Sequence, residues 1–200
     1  MSWKHHFSHS VSRPGAPLHF AAHSHHPWPD ITRAAHLQAW DDAATLLDRK
    51  WEKVFGEVIP QAKTRIARHL NLPDPATLTF APNTHEFLTR ILSALPQHRP
   101  IRVLTTDSEF HTFTRQMSRL EEDTRAQIIR VAAEPQESFV ERMCGAAAQG
   151  GFDLVFFSDV FFNSGFWVRD VARIVQSVRN PETTIVIDGY HSFMAVPLDL

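Results

Sequence analysis

The sequence predicts an α/β fold, in which a mainly parallel sheet is flanked by helices and preceded by an N-terminal arm and helices. From Pro73 onwards, short apolar segments alternate with amphipathic ones, a rhythm that is typical of strands joined by helical crossovers. The clearest segment runs from Thr184 to Asp188, where β-branched and apolar residues lie between Pro181 and Gly189. With 200 residues, 43% of them hydrophobic, the chain is long enough to bury one sizeable core.

Residues 1–29 are predicted to form an extended arm, because the prolines at positions 14, 17, 27 and 29 interrupt any helix. The arm is rich in histidine. Its densest cluster, from His23 to His26, lacks both a helical i, i+4 pair and a distant partner pair, so we expect no metal site there.

Residues 30–72 are predicted to form helices. Asp30 is a suitable first residue, and apolar residues recur with roughly helical spacing as far as Trp51. From Val58 to Leu70 they recur every four residues, and Pro60 fits the first turn of that second helix.

Residues 73–200 are predicted to form the sheet and its helices. The candidate strands are residues 77–80, 101–105, 126–132, 152–157 and 184–188. The candidate helices are residues 87–95, 111–122, 137–149 and 168–178. No Gly-x-Gly-x-x-Gly follows any candidate strand, which argues against a nucleotide-binding fold of the Rossmann type.

Composition argues against several classes of partner and location. The net charge is -2 with no run of five like charges, so neither nucleic acid nor an anionic membrane surface is an expected partner. The single cysteine, Cys144, excludes an intramolecular disulfide and fits a reducing compartment. No window of 18 apolar residues and no signal peptide are found, so we expect a cytoplasmic location.

Polar and aromatic residues follow the candidate strands, at the sheet edge where α/β folds bind ligands. Asn83 and Thr84 begin a helix whose free N–H groups suit a phosphate, and Phe110 provides a ring for stacking. Ser158 provides a hydroxyl, and Asp188 with His191 forms an Asp-x-x-His pair. Taken singly, each feature has an ordinary alternative, such as a helix cap, a core phenylalanine or a polar turn.

The combination matches the needs of pyridoxal 5'-phosphate. Its phosphate needs helix N–H groups, its ring needs a stacking face, and its pyridine nitrogen needs an acid that keeps it protonated. A ring protonated in this way can accept electrons from a substrate carbanion. We therefore predict a pyridoxal-phosphate site at this edge of the sheet.

The same segments resemble the large domain of the class V aminotransferase superfamily, with kynureninase-like enzymes most similar. The motifs that carry the resemblance are Asn83-Thr84-His85-Glu86-Phe87, Asp107-Ser108-Glu109-Phe110-His111, Val155-Phe156-Phe157-Ser158, Phe162-Asn163-Ser164-Gly165 and Val186-Ile187-Asp188-Gly189-Tyr190-His191. The resemblance implies a fold-type-I, pyridoxal-phosphate-dependent transferase fold over residues 73–200.

The resemblance also implies roles for single residues. Asp188 would hold the pyridine nitrogen, Phe110 would stack on the ring, and Asn83 and Thr84 would bind the phosphate through their backbone. Ser158 and His191 would lie beside the cofactor. The expected reaction is hydrolytic cleavage of kynurenine to anthranilate and alanine.

The family's Schiff-base lysine has no counterpart in this sequence. All four lysines, at positions 4, 50, 53 and 63, precede Asn83, the first predicted cofactor-binding residue, so no catalytic residue is assigned. We therefore expect the chain to be the N-terminal part of a longer protein, with an incomplete large domain, and to be inactive alone.

Several alternatives stay open at this stage. The residues that bind the ring do not distinguish kynurenine cleavage from an aminotransferase, a cysteine desulfurase-like lyase or an epimerase, and a non-catalytic remnant of the fold is the alternative of another class. The expected partners are a small amino-acid substrate and, for the full-length protein, a second copy in a homodimer.

Overall fold

The computed structural model describes residues 2–20 and 25–197, which form two compact units. The first unit extends to Thr79 and the second runs from Phe80 to Pro197. His23 and Ser24 of the histidine cluster lie outside the described residues. Within the described ranges, no group of three or more histidine, cysteine or acidic side chains is arranged to hold a metal ion.

The first unit consists of the arm and a helical region. Its helices are α1 (Asp30–Leu46), α2 (Lys50–Lys53) and α3 (Ile59–His69), and a π-helical turn at Val54–Val58 joins the last two. The predicted helices are thus confirmed, and Pro60 lies in the first turn of α3 as expected. An ion pair of 2.6 Å between Lys53 and Asp42 links α2 to α1.

The start of the arm is not extended, contrary to our prediction. Residues 4–6 form a 3₁₀ turn and further turns follow as far as residue 15. The turn is local in origin, because the N–H of Phe7 donates to the carbonyl of Lys4 at 2.9 Å and the rings of Trp3 and His6 stack. The prolines prevent a long helix but leave such short turns possible.

The second unit is a four-stranded parallel sheet with helices between the strands. Its strands are β1 (Ile101–Thr106), β2 (Ala126–Val131), β3 (Leu154–Ser158) and β4 (Thr184–Asp188). Its helices are α4 (Thr84–Ala94), α5 (His111–Glu122), α6 (Phe139–Ala148) and α7 (Val171–Ser177). The strands lie in the order β2-β1-β3-β4 and every pair is parallel, which confirms the predicted fold class.

The prediction of a strand at residues 77–80 is wrong. Pro75–Thr77 form a 3₁₀ turn, which begins where Asp74 accepts a hydrogen bond of 2.8 Å from the N–H of Ala76. Leu78 to Phe80 then belong to no strand among the described residues. An Asp-Pro pair favours a turn, and this local preference outweighs the apolar character of the segment.

The core has one part on each face of the sheet. Successive residues of β3 alternate between them: Val155 and Phe157 pack with Phe139 of α6, whereas Leu154 and Phe156 pack on the α4 and α5 side. All five residues of β3 are buried, as expected for an interior strand of a parallel sheet. No helix in the described part of the chain is long and apolar enough to span a bilayer.

Candidate active site

The carboxyl ends of β1, β3 and β4 lie at one edge of the sheet. The sheet grows from β1 to β2 in one direction and from β3 to β4 in the other, so the order reverses between β1 and β3. Open α/β sheets bind ligands in the crevice at such a reversal, outside the carboxyl ends of the strands. The residues that follow these strands are therefore the candidates for a site.

The N-terminus of α4 offers backbone donors to an anion. Asn83 is the N-cap, and its side-chain oxygen accepts a hydrogen bond of 2.9 Å from the N–H of Glu86. The N–H groups of Thr84 and His85 precede the first intrahelical hydrogen bond, so the helix itself leaves them for a ligand. The positive end of the helix dipole adds to their attraction for a negative group.

Asp188 is the last residue of β4 and lies on the wall of a cavity. Its Oδ1 atom accepts a hydrogen bond of 2.9 Å from the N–H of Tyr190, which fixes the carboxylate in the turn after the strand. Its Oδ2 atom has no hydrogen-bond partner within the described residues. The cavity has a volume of about 290 Å³, and Thr84, Phe110 and Asp188 are among its lining residues.

An aromatic cluster stands beside this cavity. Phe110 contacts the rings of His111 at 3.9 Å and Phe162 at 5.3 Å between centroids. His191 lies 6.4 Å from Phe110 and 6.5 Å from Phe162, and Tyr190 packs edge-on against His191. Because Phe162 and Tyr190 are 40% and 57% exposed, the cluster presents aromatic surface to solvent beside the cavity.

Glu109 is buried between the ends of β1 and β3. Its carboxylate accepts hydrogen bonds of 2.6 Å from the hydroxyls of both Thr106 and Ser158, and a further one of 3.1 Å from the N–H of Ser158. The side chain therefore connects two strand ends that are far apart in sequence. The hydroxyl of Ser158 is held by this contact inside the protein.

Two carboxyl groups near Asp188 hold protons more strongly than usual. Burial raises the pKa of Glu109 to about 7, and the negative charge of Asp188 adds to the rise although the hydrogen bonds from Ser158 and Thr106 oppose it. Burial also raises the pKa of Asp159, again with a contribution from Asp188 and against a hydrogen bond with Ser192. The Oδ1 atom of Asp159 is buried without a partner in the described part of the chain.

The structure brings three of the six predicted site residues to one cavity. Thr84, Phe110 and Asp188 line it. Asn83 instead caps the adjoining helix, and His191 contacts the ring of Phe110 without lining the cavity.

Ser158 is the remaining predicted site residue, and its hydroxyl donates to Glu109. Glu109 lies within one of the motifs of the family resemblance, but no role was predicted for it. Asp159 was missed as well. Asp159 directly follows β3, and Glu109 lies just beyond the end of β1. That position at the end of a buried strand is the sequence signal that could have identified both acids.

The family model described as aminotransferase class-V matches residues 34–200. No match was found among curated proteins.

Solved structures share the fold. A cystine C-S lyase in complex with its reaction product cysteine persulfide is 19% identical, with a TM-score of 0.69 over 86% of this chain and 47% of that one. A variant of this lyase, with a lysine replaced by alanine and glycine covalently linked to the PLP cofactor, is 18% identical, with a TM-score of 0.79 over 100% of this chain and 52% of that one.

A histidinol-phosphate aminotransferase from Sinorhizobium meliloti, in complex with pyridoxal-5'-phosphate, is 20% identical. Its TM-score is 0.52 over 63% of this chain and 33% of that one. The present chain thus spans about half the length of the lyase structures and a third of the aminotransferase.

Proposed function

This chain belongs to the class-V aminotransferase family, and from that membership we propose that it is the cofactor-binding part of an enzyme that acts on an amino acid. The cofactor is pyridoxal phosphate, which the family and the solved structures of the same fold support. The observation that carries the proposal is the meeting of Thr84, Phe110 and Asp188 at one cavity.

The residues present fit this cofactor. The N–H groups of Thr84 and His85 at the start of α4 suit the phosphate. The ring of Phe110 suits a flat heteroaromatic, and the Oδ2 atom of Asp188, which has no hydrogen-bond partner among the described residues, suits a protonated ring nitrogen. The cavity, at about 290 Å³, lies at the lower end of the range for small-molecule sites.

Each residue has a distinct task in this proposal. When bound, the cofactor supplies a ring that accepts electrons released at the α-carbon of an amino acid. Asp188, whose carboxylate accepts a hydrogen bond from the N–H of Tyr190, would hold the proton on the ring nitrogen. Phe110 would cover one face of the ring and exclude water from it, while the start of α4 would hold the phosphate.

We propose a kynureninase-like reaction, the hydrolytic cleavage of kynurenine to anthranilate and alanine. The aromatic cluster beside the cavity, which includes Phe162, Tyr190 and His191, favours a substrate with a flat aromatic side chain. A cystine or cysteine lyase is the second candidate, because solved structures with this fold include a cystine C-S lyase. An aminotransferase or an epimerase would use the same ring-binding residues.

The reaction is assayed on the complete product of the reading frame. With kynurenine and pyridoxal phosphate, we expect anthranilate release. Parallel assays for persulfide or sulfide release from cystine and for amino transfer to a keto acid serve as comparisons. Activity in one of these and none with kynurenine would replace the proposed reaction. The 200-residue chain alone is expected to release no product, because its lysines all lie within the first unit.

Asp188→Asn is expected to weaken cofactor binding by roughly 10- to 100-fold. A hydrogen bond between charged groups contributes about 1.5–3 kcal/mol, and the amide keeps the shape but loses the charge. Pyridoxamine phosphate is the probe, since it has the ring and phosphate but no aldehyde to react with surface lysines. Its affinity is measured by equilibrium dialysis. Asp123→Asn, an exposed change at the other end of α5, is the control and should bind like the unchanged chain; equal affinities for all three would refute the role of Asp188.

We also propose that the complete protein is a homodimer in which α1 lies at the interface. None of the residues of α1 is buried, and Leu37 and Trp40, one helical turn apart, are both exposed. Exposed apolar side chains on one helix face are typical of a surface that another protein covers.

Trp40→Asp is expected to lower the dimer affinity by at least about tenfold, because it places a charge in an apolar interface. Sedimentation velocity over a range of concentrations measures this. Ala35→Asp, an exposed change on the opposite side of α1, is the control and should leave association unchanged. A dimer that is equally stable with Trp40→Asp would rule out this interface.

A further inference from the structure

Glu109 occupies the crevice between β1 and β3 where the strand order reverses. It is 4% exposed, and Thr106, the last residue of β1, donates its hydroxyl to one carboxylate oxygen. Ser158, the last residue of β3, donates its hydroxyl to the other oxygen and its N–H to both. A single side chain therefore fixes the relative position of these two strand ends.

The contact between Glu109 and Ser158 is linked to Asp188 through the pairing of β3 with β4. Ser158 is the partner of Asp188 in the β3–β4 register. The N–H of the next residue, Asp159, donates to the carbonyl of Asp188 at 3.3 Å. Any movement of the end of β3 thus moves the backbone that carries the Asp188 carboxylate.

We propose that Glu109 is a positioning residue for Asp188: it fixes the strand ends that hold this carboxylate, and it releases a proton to solvent when a cation binds to Asp188. The cation is the protonated ring nitrogen of the cofactor, so this inference rests on the proposed function. No other reactant is needed, since the proton leaves a carboxyl group and enters the buffer.

The reason for the coupling is electrostatic. The charged group that acts on Glu109 in the described structure is Asp188 on β4, while β1 and β3 present the uncharged hydroxyls of Thr106 and Ser158. Burial raises the pKa of Glu109 to about 7, and the negative charge of Asp188 makes a smaller contribution in the same direction. A cation on Asp188 cancels much of this repulsion, so the pKa of Glu109 falls and its proton leaves. A purely structural Glu109 would show no such link.

The test measures the affinity for pyridoxamine phosphate against pH, from about pH 5.5 to about pH 8.5, in the unchanged chain and in Glu109→Gln. The amide resembles the protonated carboxyl group but cannot titrate. Binding that releases a proton strengthens as pH rises, so the affinity of the unchanged chain should increase relative to Glu109→Gln, by about tenfold for each unit by which the Glu109 pKa falls. Glu182→Gln, an exposed change before the opposite end of β4, is the control and should follow the unchanged chain.

Ser158→Ala provides a second variant that does not depend on Glu109→Gln folding. Loss of its hydroxyl removes a hydrogen bond that stabilises the ionised Glu109, so the rise in affinity should shift to higher pH. Infrared titration of the carboxyl groups in the ligand-free chain should show one group that titrates near neutral pH and is absent from Glu109→Gln.

The possible outcomes separate the two proposals. Pyridoxamine phosphate that binds with parallel pH profiles in the unchanged chain, Glu109→Gln and Ser158→Ala would overturn the role of Glu109 and leave the proposed cofactor site standing. A complete reading-frame product that does not bind the probe at any pH would overturn the cofactor site itself, and the coupling with it. Diverging profiles support both.

Discussion

Phe157→Ala is expected to lower the free energy of unfolding of the sheet unit by about 3–5 kcal/mol, the range for deleting a fully buried phenylalanine. Phe157 has no exposed surface and belongs to the core part that includes Leu104, Phe139 and Met143. Alanine would remove most of the ring's contacts and leave a cavity, because β3 is enclosed on both faces and the surrounding chain has little room to collapse. Urea unfolding followed by circular dichroism measures the change.

Phe80→Ala is the matched control for this change. Phe80 lies in the same unit but is 45% exposed, so its truncation should cost less than about 1 kcal/mol. Similar losses for both variants would contradict the core described above. Since Phe157 directly precedes Ser158, its truncation should also weaken binding of pyridoxamine phosphate, whereas Phe80→Ala should leave that binding unchanged.

The elements that were predicted well are those whose signal is local. The strand Thr184–Asp188 and the helix His111–Glu122 begin and end at the predicted residues. In the strand, β-branched residues stop abruptly at Asp188, which a glycine follows, and in the helix the apolar residues keep a helical period. The prediction for residues 77–80 failed because a four-residue segment in which threonine alternates with an apolar residue is too short to be decisive, and the preceding Asp74-Pro75 pair favours a turn.

The sequence predicted only those features of the candidate site that follow from a residue's position at the end of a strand. Phe110 and Asp188 each lie at or just beyond the end of a strand, and parallel strands bring such residues to one edge whatever their order. The role of Glu109 depends on β3 lying beside β1, a pairing between residues about fifty positions apart. Sequence periodicity contains no information on that order, so the contact between Glu109 and Ser158 could not be predicted.

Glu109 is also expected to make the ligand-free fold less stable as pH rises, with an effect of about 3 kcal/mol. Its pKa rises from 4.5 to about 7 on folding, and each unit corresponds to about 1.4 kcal/mol. Between these two pH values the folded chain holds the proton while the unfolded chain has released it. The stability that this proton contributes is therefore fully present below about pH 4.5 and is lost as pH rises to about 7.

The measurement is the difference in urea-unfolding free energy between the unchanged chain and Glu109→Gln, taken from about pH 4.5 to about pH 8. Subtraction removes the contributions of the other carboxyl groups and histidines, because they titrate in both proteins. The difference should shift by about 3 kcal/mol in favour of Glu109→Gln as pH rises. A constant difference would mean that the pKa of Glu109 is the same in the folded and the unfolded chain, in which case its hydrogen bonds offset its burial. A Glu109 with its ordinary pKa would already be ionised near neutral pH and would have no proton to release when a cation binds to Asp188, so this ligand-free experiment also tests the coupling at its source.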